Sequence, residues 1–212
     1  MKNNNPLQRR SYSFEVRADQ DEQGGSIITG RPIVYDSMTD LGWFNEIIER
    51  GALNKTNLQD VRFLVNHDTS KIPLARSRKN NKNSTMQLTV DDEGMSIRVT
   101  LDTENNADAR SLYSAVQRGD ISGMSFMFSI EREEWEELES DHPTRRIKEI
   151  GTVVEVSAVT FPAYEQTEIS TRCKEALESA RRAVDTAREQ RASVDTDELE
   201  LEKLKAQYLY NT

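Results

Sequence analysis

Three side chains in this sequence have the types needed to run acyl transfer together: His67, Ser125 and Glu155. A serine hydroxyl is a weak nucleophile at neutral pH and must be activated by a base. Histidine is suited to that task because its pKa lies near neutrality. A carboxylate on the other ring nitrogen would fix the tautomer and stabilise the imidazolium formed during attack. Glu149 and Asp68 are alternatives to Glu155 for the carboxylate. Residue type alone does not make an enzyme, because a strand serine is usually structural and a strand-face glutamate is usually solvated. The Gly-x-Ser-x-Gly elbow of α/β-hydrolases is also missing, since Met127 stands where its second glycine would be.

The elements that must hold these residues are strands. In ISGMSFMFSI (121–130) large apolar residues alternate with small or polar ones, the period of a half-buried strand. Phe126, Phe128 and Ile130 share one face, and Ser125, Met127 and Ser129 the other. Val61, Phe63 and Val65 alternate in the same way and lead directly to His67. Glu155 alternates with Val154, Val156 and Ala158 and shares its face with Ser157. That parity favours Glu155 over Glu149 provided that Gly151 introduces no bulge.

The remaining pattern up to about residue 165 is also β. Ser13–Ala18 and Ile27–Tyr35 read as strands around a turn at Gln23–Ser26, with a bulge at Gly30 and an edge or bend at Pro32. Gly42–Ile48 reads as a short strand. Met86–Val90 and Met95–Leu101 form a hairpin around Asp91-Asp92-Glu93-Gly94. Arg146–Ile150 and Thr152–Thr160 form one long strand or two with a bend at Gly151. One helix interrupts them, with Ala107, Leu112, Ala115 and Val116 as its stripe, an Asn105–Asn106 start and a Gly119 stop. From about Thr171 a thin stripe of Leu177, Ala180, Val184 and Ala187 predicts a charged helix. A second helix is expected after Asp195-Thr196-Asp197. These signals divide the chain into a flexible 1–11, a domain over 12–169 and a helical charged tail over 170–212. The tail reads as a solvated appendage, a coiled-coil segment or a docking element.

Composition narrows the function. The 212 residues carry a net charge of -9, which argues against direct nucleic-acid binding, because phosphate contacts need clustered Lys and Arg. No apolar run approaches the roughly 20 residues that span a bilayer, so no membrane partner is expected. The single cysteine, Cys173, excludes an internal disulfide. With two histidines and one cysteine there is no zinc-ligand spacing, and no calcium or phosphate-binding loop is present, so no cofactor or metal is expected.

Four blocks in order carry a resemblance. They are Gly30–Tyr35 with Phe44–Leu53; Val65-Asn66-His67-Asp68 with Pro73–Arg76; Ser122–Phe128; and Glu155–Tyr164. Over roughly residues 12 to 169 the chain resembles the prohead (procapsid) maturation serine proteases of tailed bacteriophages, which are related in fold to the herpesvirus assemblins. The resemblance implies an α+β fold, a mostly antiparallel assemblin-like β barrel with flanking helices. It implies an endopeptidase with His67 as base, Ser125 as nucleophile and Glu155, from the Glu-Val-Ser motif, as third member. Assemblins use a histidine in that third role, but His142 lies at what reads as a hairpin tip and is not assigned it. A backbone N–H near Ser125 is the expected oxyanion donor. The expected substrates are a scaffolding protein, the scaffold-like N-terminal segment of the major capsid protein, and the protease itself. Action inside the assembling procapsid in the host bacterial cytoplasm, and self-association, are implied likewise. The rival readings are a non-enzymatic capsid-assembly or scaffold protein and a small-ester hydrolase.

Overall fold

The alternating stretch around Ser125 opens a strand of 14 residues, β10 (Gly123–Glu136), which pairs antiparallel with the 16-residue β11 (Thr144–Val159). In this computed structural model, which describes residues 7–12, 16–160 and 173–188, that long hairpin is the axis of the fold. On its outer side β10 pairs with β1 (Leu7–Tyr12). Leu7–Ser11, expected to lie ahead of the domain, are thus part of its main sheet.

The opposite edge of β11 is filled in parallel by a single run of chain. β5 (Asn45–Ile48) pairs with Thr144–Ile147, and β6 (Asp60–Val65) pairs with Glu155–Ala158. Between them Ile150 N–H donates to the Ala52 carbonyl at 2.9 Å and Asn57 N–H to the Gly151 carbonyl at 2.8 Å. Gly151 therefore lies within one continuous strand, but the ladder with β10 skips it, passing from Ser129–Thr152 to Ile130–Ile150, so a bulge does occur there and strand parity alone does not choose Glu155 over Glu149. β4 (Met38–Asp40) and β7 (Ala75–Arg78) add to β5 and β6 and complete a seven-stranded sheet.

A second sheet has four strands in the order β2 (Arg17–Gln20), β3 (Ser26–Val34), β9 (Gly94–Leu101) and β8 (Met86–Asp91). The register of β3 breaks between Gly30 and Ile33, so Pro32 sits where the ladder skips and its missing N–H costs nothing. Helix α1 (Ala107–Arg118) packs Ala109, Leu112 and Val116 into the core. Its first N–H groups are capped by the Asn106 side chain, and Gly119 ends it at φ 80°, in the left-handed region open to glycine. Ile28, Ile33, Met86, Met95 and Val99 of the small sheet meet Phe63, Phe126, Phe128 and Val156 of the large one in a single apolar core.

The sheets do not close into the expected barrel. Closure would need a ladder between β7 and β8. Instead the outward N–H groups of β7 are taken by side-chain hydroxyls: Arg76 N–H donates to Thr85 Oγ1 and Arg78 N–H to Ser84 Oγ, both at 2.9 Å. These hydroxyls satisfy the strand edge locally, which removes the demand for a backbone partner.

A second helix, α2, covers 173–188. Cys173 and Leu177 bury against Phe44, with Trp135 and Leu138 alongside. Arg181 fastens the helix by donating to the carbonyls of Leu138 and Ser140 at 3.0 and 2.8 Å. Further along the expected stripe, Val184 is exposed. The part of the first strand at Ser13–Glu15, the block Phe161–Tyr164 and the helix expected after Asp195 lie outside the described residues.

Candidate active site

Ser125 has β neighbours on both sides: it faces Ser157 of β11 and Ser11 of β1. Its whole surroundings on β10, Gly123 to Phe126, are buried, because the sheet is covered on both faces here. Beneath it Phe126 and Phe128 stack with ring centroids 4.7 Å apart. A serine on such a strand has little freedom to move.

His67 reaches Ser125 from beyond the end of β6. The parallel ladder continues one step, with Asn66 N–H donating to the Ala158 carbonyl at 2.9 Å. The chain then reverses in a tight turn closed by Asp68 N–H to the Val65 carbonyl at 3.0 Å. Its two central residues, Asn66 and His67, have φ of 50° and 57°, the left-handed pair that a type I′ turn requires. Asparagine tolerates this conformation, and the Asn66 side chain also accepts from Thr160 N–H and donates to Thr160 Oγ1. The turn drives the imidazole back over the β10–β11 pair.

There the three predicted residues meet. His67 Nδ1 lies 2.5 Å from Glu155 Oε1, and His67 Nε2 lies 2.6 Å from Ser125 Oγ. A carboxylate only accepts, so it fixes the ring proton on Nδ1 and leaves the Nε2 lone pair facing the serine hydroxyl. Ser157, not singled out for a role from sequence, completes the arrangement. Its hydroxyl donates to Glu155 Oε2 at 2.6 Å and accepts from the His67 backbone N–H at 3.1 Å. All four residues are buried: His67 is 4% exposed, Glu155 1%, and Ser125 and Ser157 0%. A proton passed from Ser125 to His67 would create an imidazolium already paired with Glu155, which avoids an isolated buried charge.

The alternative carboxylates are elsewhere. Glu149 faces Arg132 across the hairpin and lies 3.7 Å from Lys55 Nζ. Asp68 is half-buried and caps its own loop by accepting from Ser70 N–H and Oγ, and these bonds hold its carboxyl below the usual range. His142 is at the hairpin end, 3.3 Å from Asn45 Oδ1 and from Asp40 Oδ1.

A second buried polar cluster adjoins the first. The Arg10 guanidinium grips Glu46 through Nε and through Nη2, the latter 2.7 Å from Oε2. Arg145 lies 3.5 Å from the same Oε2 and bonds Glu133 through Nε at 2.8 Å. Sequence reading did not find this cluster, because its charged residues are scattered over four strands. The Arg10 carbonyl also accepts from Ser125 Oγ at 2.9 Å. A cleft of about 280 Å³ opens beside the His67 turn, lined by Val65, Asp68, Ile72 and Leu112 among others, but none of His67, Ser125 and Glu155 lines it. Among the described residues no group of three or more His, Cys, Asp or Glu side chains could hold a metal ion. Among them, too, no helix is long and apolar enough to cross a membrane.

Residues 12–182 match the family model of the caudovirus prohead serine protease. The chain is similar to the prohead protease of Enterobacteria phage HK97, with 29% identity over 160 residues. That match covers 74% of this chain and 64% of the relative, so the chain spans less than two thirds of that protein's length. The bacteriophage T4 capsid assembly protease is a structural neighbour with a TM-score of 0.39 and 11% identity, covering 73% of this chain and 99% of that one.

Proposed function

The chain belongs to the caudovirus prohead serine protease family, and we propose that it is a serine endopeptidase of capsid maturation with Ser125 as nucleophile, His67 as general base and Glu155 as the carboxylate that orients the base. The observation that carries this reading is the unbroken relay from Glu155 through both ring nitrogens to Ser125 Oγ, at 2.5 and 2.6 Å.

In the reaction, Ser125 Oγ attacks the carbonyl carbon of a peptide bond as its proton passes to His67 Nε2. The imidazolium is held by Glu155, and backbone N–H groups near Ser125 take the developing oxyanion charge. Collapse of the tetrahedral intermediate breaks the C–N bond, and the Nε2 proton goes to the leaving amine. Water, deprotonated by the same nitrogen, then hydrolyses the acyl-enzyme and restores the Ser125 hydroxyl.

The substrates are the scaffolding protein or the scaffold-like N-terminal segment of the major capsid protein, within the procapsid in the host cell, and the protease itself. The charged segment 170–212 serves to dock the enzyme into the shell or is removed by self-processing. Self-association accompanies assembly.

The test is co-expression with the capsid and scaffolding proteins of the same phage, read by intact mass. Wild type is expected to yield cut products and Ser125→Ala none. Identical uncut masses for both, with no phosphonylation of Ser125 by a fluorophosphonate, would instead support a non-enzymatic assembly protein.

A further inference from the structure

β1 is the outermost strand of its sheet and runs antiparallel along β10 with Ser11 opposite Ser125. The residues matched by the family model begin only at residue 12, so nearly all of β1 lies ahead of the shared domain. An extended segment added to a sheet edge is also how many proteins bind peptides in trans. Here the edge in question belongs to the strand that carries the candidate nucleophile.

Two contacts give this edge a chemical preference. The Arg10 carbonyl oxygen lies 2.9 Å from Ser125 Oγ, so β1 brings a peptide carbonyl to the nucleophile. The Arg10 side chain is 4% exposed and fills a pocket with Glu46 at its end and the Phe128 ring 5.8 Å from the guanidinium carbon. The Glu46 side chain is 0% exposed. If the arginine left, the Glu46 carboxylate would retain Arg145 at 3.5 Å, a cation that also bonds Glu133. A buried carboxylate so placed favours a cationic side chain and disfavours a neutral or acidic one. The two-point grip, through Nε and Nη2, suits the planar fork of arginine better than the point charge of lysine.

We propose that β1 occupies the substrate-binding edge in cis, and that the Glu46 pocket selects arginine, then lysine, at the residue whose carbonyl is presented to Ser125. This rests on the protease reading above. Its consequence is regulatory as well as specific. The single Ser125 proton is shared between the Arg10 carbonyl and His67, and a substrate must displace β1 before it can reach the site.

The experiment uses the full chain and fluorogenic peptides with the sequence of Gln8–Tyr12, varied at the Arg10 position to Arg, Lys, Leu or Glu. Wild type is expected to cleave the Arg peptide best and the Glu peptide roughly 100-fold less efficiently in kcat/KM. Arg10→Met, which keeps the side-chain length without the cation, is expected to raise kcat/KM for the Arg peptide at least about tenfold as the edge is vacated. Adding Glu46→Gln to Arg10→Met should shrink the Arg-to-Glu preference at least about tenfold. Equal cleavage of Arg and Glu peptides overturns the proposal, and so does a folded Arg10→Met no faster than wild type. The ranking on wild type decides the pocket's preference even if Arg10→Met does not fold. Fluorophosphonate labelling separates the two levels. Ser125 labelled without a basic preference overturns this inference alone, whereas no labelling and no hydrolysis in any variant overturns the protease reading with it.

Discussion

Ser125 and Ser157 face each other across β10 and β11, yet their hydroxyls serve different atoms of the same histidine. Ser125 Oγ meets the ring at Nε2, whereas Ser157 Oγ accepts from the backbone N–H and donates to the carboxylate that holds Nδ1. Ser157 is therefore a positioning residue. Ser157→Ala leaves a buried N–H and one carboxylate oxygen without that partner. It should lower stability by about 1–3 kcal/mol in urea melts. It should reduce kcat roughly tenfold with KM nearly unchanged, and Ser157→Thr should restore most of the loss.

Glu155 and Glu149 lie on the same strand but make opposite predictions. Glu155→Gln keeps the shape and can present the wrong hydrogen-bonding partner to Nδ1, so kcat should fall by about 10³–10⁴ while the protein stays folded. Glu149→Gln, which loses only the pairing with Lys55, should stay within about twofold of wild type. Peptide or co-expressed substrate kinetics distinguish them, and the reverse order would move the carboxylate role to Glu149.

Two glycines should respond differently to a methyl group. A Cβ on Gly94, at φ +140°, would lie 2.0 Å from the Ile33 carbonyl oxygen. Gly94→Ala should therefore destabilise by about 3 kcal/mol, measured by chemical denaturation. Gly119 has φ +80° but open space around it, so Gly119→Ala should cost only about 1 kcal/mol.

Acid should loosen the four-stranded sheet at the β8–β9 turn. Hydrogen bonds from the Arg31 guanidinium, then from the Glu93 N–H, hold the Asp91 carboxyl down to about 2. A depressed folded pKa gives stability that is complete above the unfolded value of about 3.9 and is lost as pH falls toward the folded one. The melting temperature should thus drop between about pH 4 and pH 2, and Asp91→Asn should flatten that part of the profile. An unchanged profile in the variant would assign the acid sensitivity to other carboxylates.

Cys173 reports on helix docking. Burial pushes its thiol pKa up, and Phe44 and Leu177 pack around it. Alkylation by iodoacetamide should be at least about tenfold slower in the native chain than in urea. Phe44→Ala should accelerate it, because α2 loses the ring that it sits on. As the chain has one cysteine, intact mass gives the readout directly.

Local signals were readable in the sequence where a residue's neighbours along the chain decide its state. The Asn106 cap, the Gly119 stop, the turn at Asp91–Gly94 and the alternation around Ser125 are of this kind. Alternation along the sequence puts Glu155 and Ser157 on one face, and their side chains are hydrogen-bonded to each other. What was hidden depends on distant partners. β1 is polar and reads as a loose end until β10 supplies its ladder. The parallel pairing of β5 and β6 with β11 leaves no local mark, and neither do Glu46 and Arg145, whose charges are tolerated in the interior only because each meets opposite charge there. The open seam between β7 and β8 rests on two hydroxyls in a loop that looks merely polar.

The parallel run of Asn45–Val65 along β11 also bears on timing during synthesis. His67 contacts Ser125 across 58 residues and Glu155 across 88. A ribosome that has just translated Ser125 has made the base and the nucleophile. It has not yet made β11, which flanks both strands and carries the orienting carboxylate. Loop-closure entropy opposes such distant contacts until their full ladder is available. The nascent chain thus carries its reactive groups unassembled, and its chemistry waits for β11, the last strand among the described residues, to leave the ribosome.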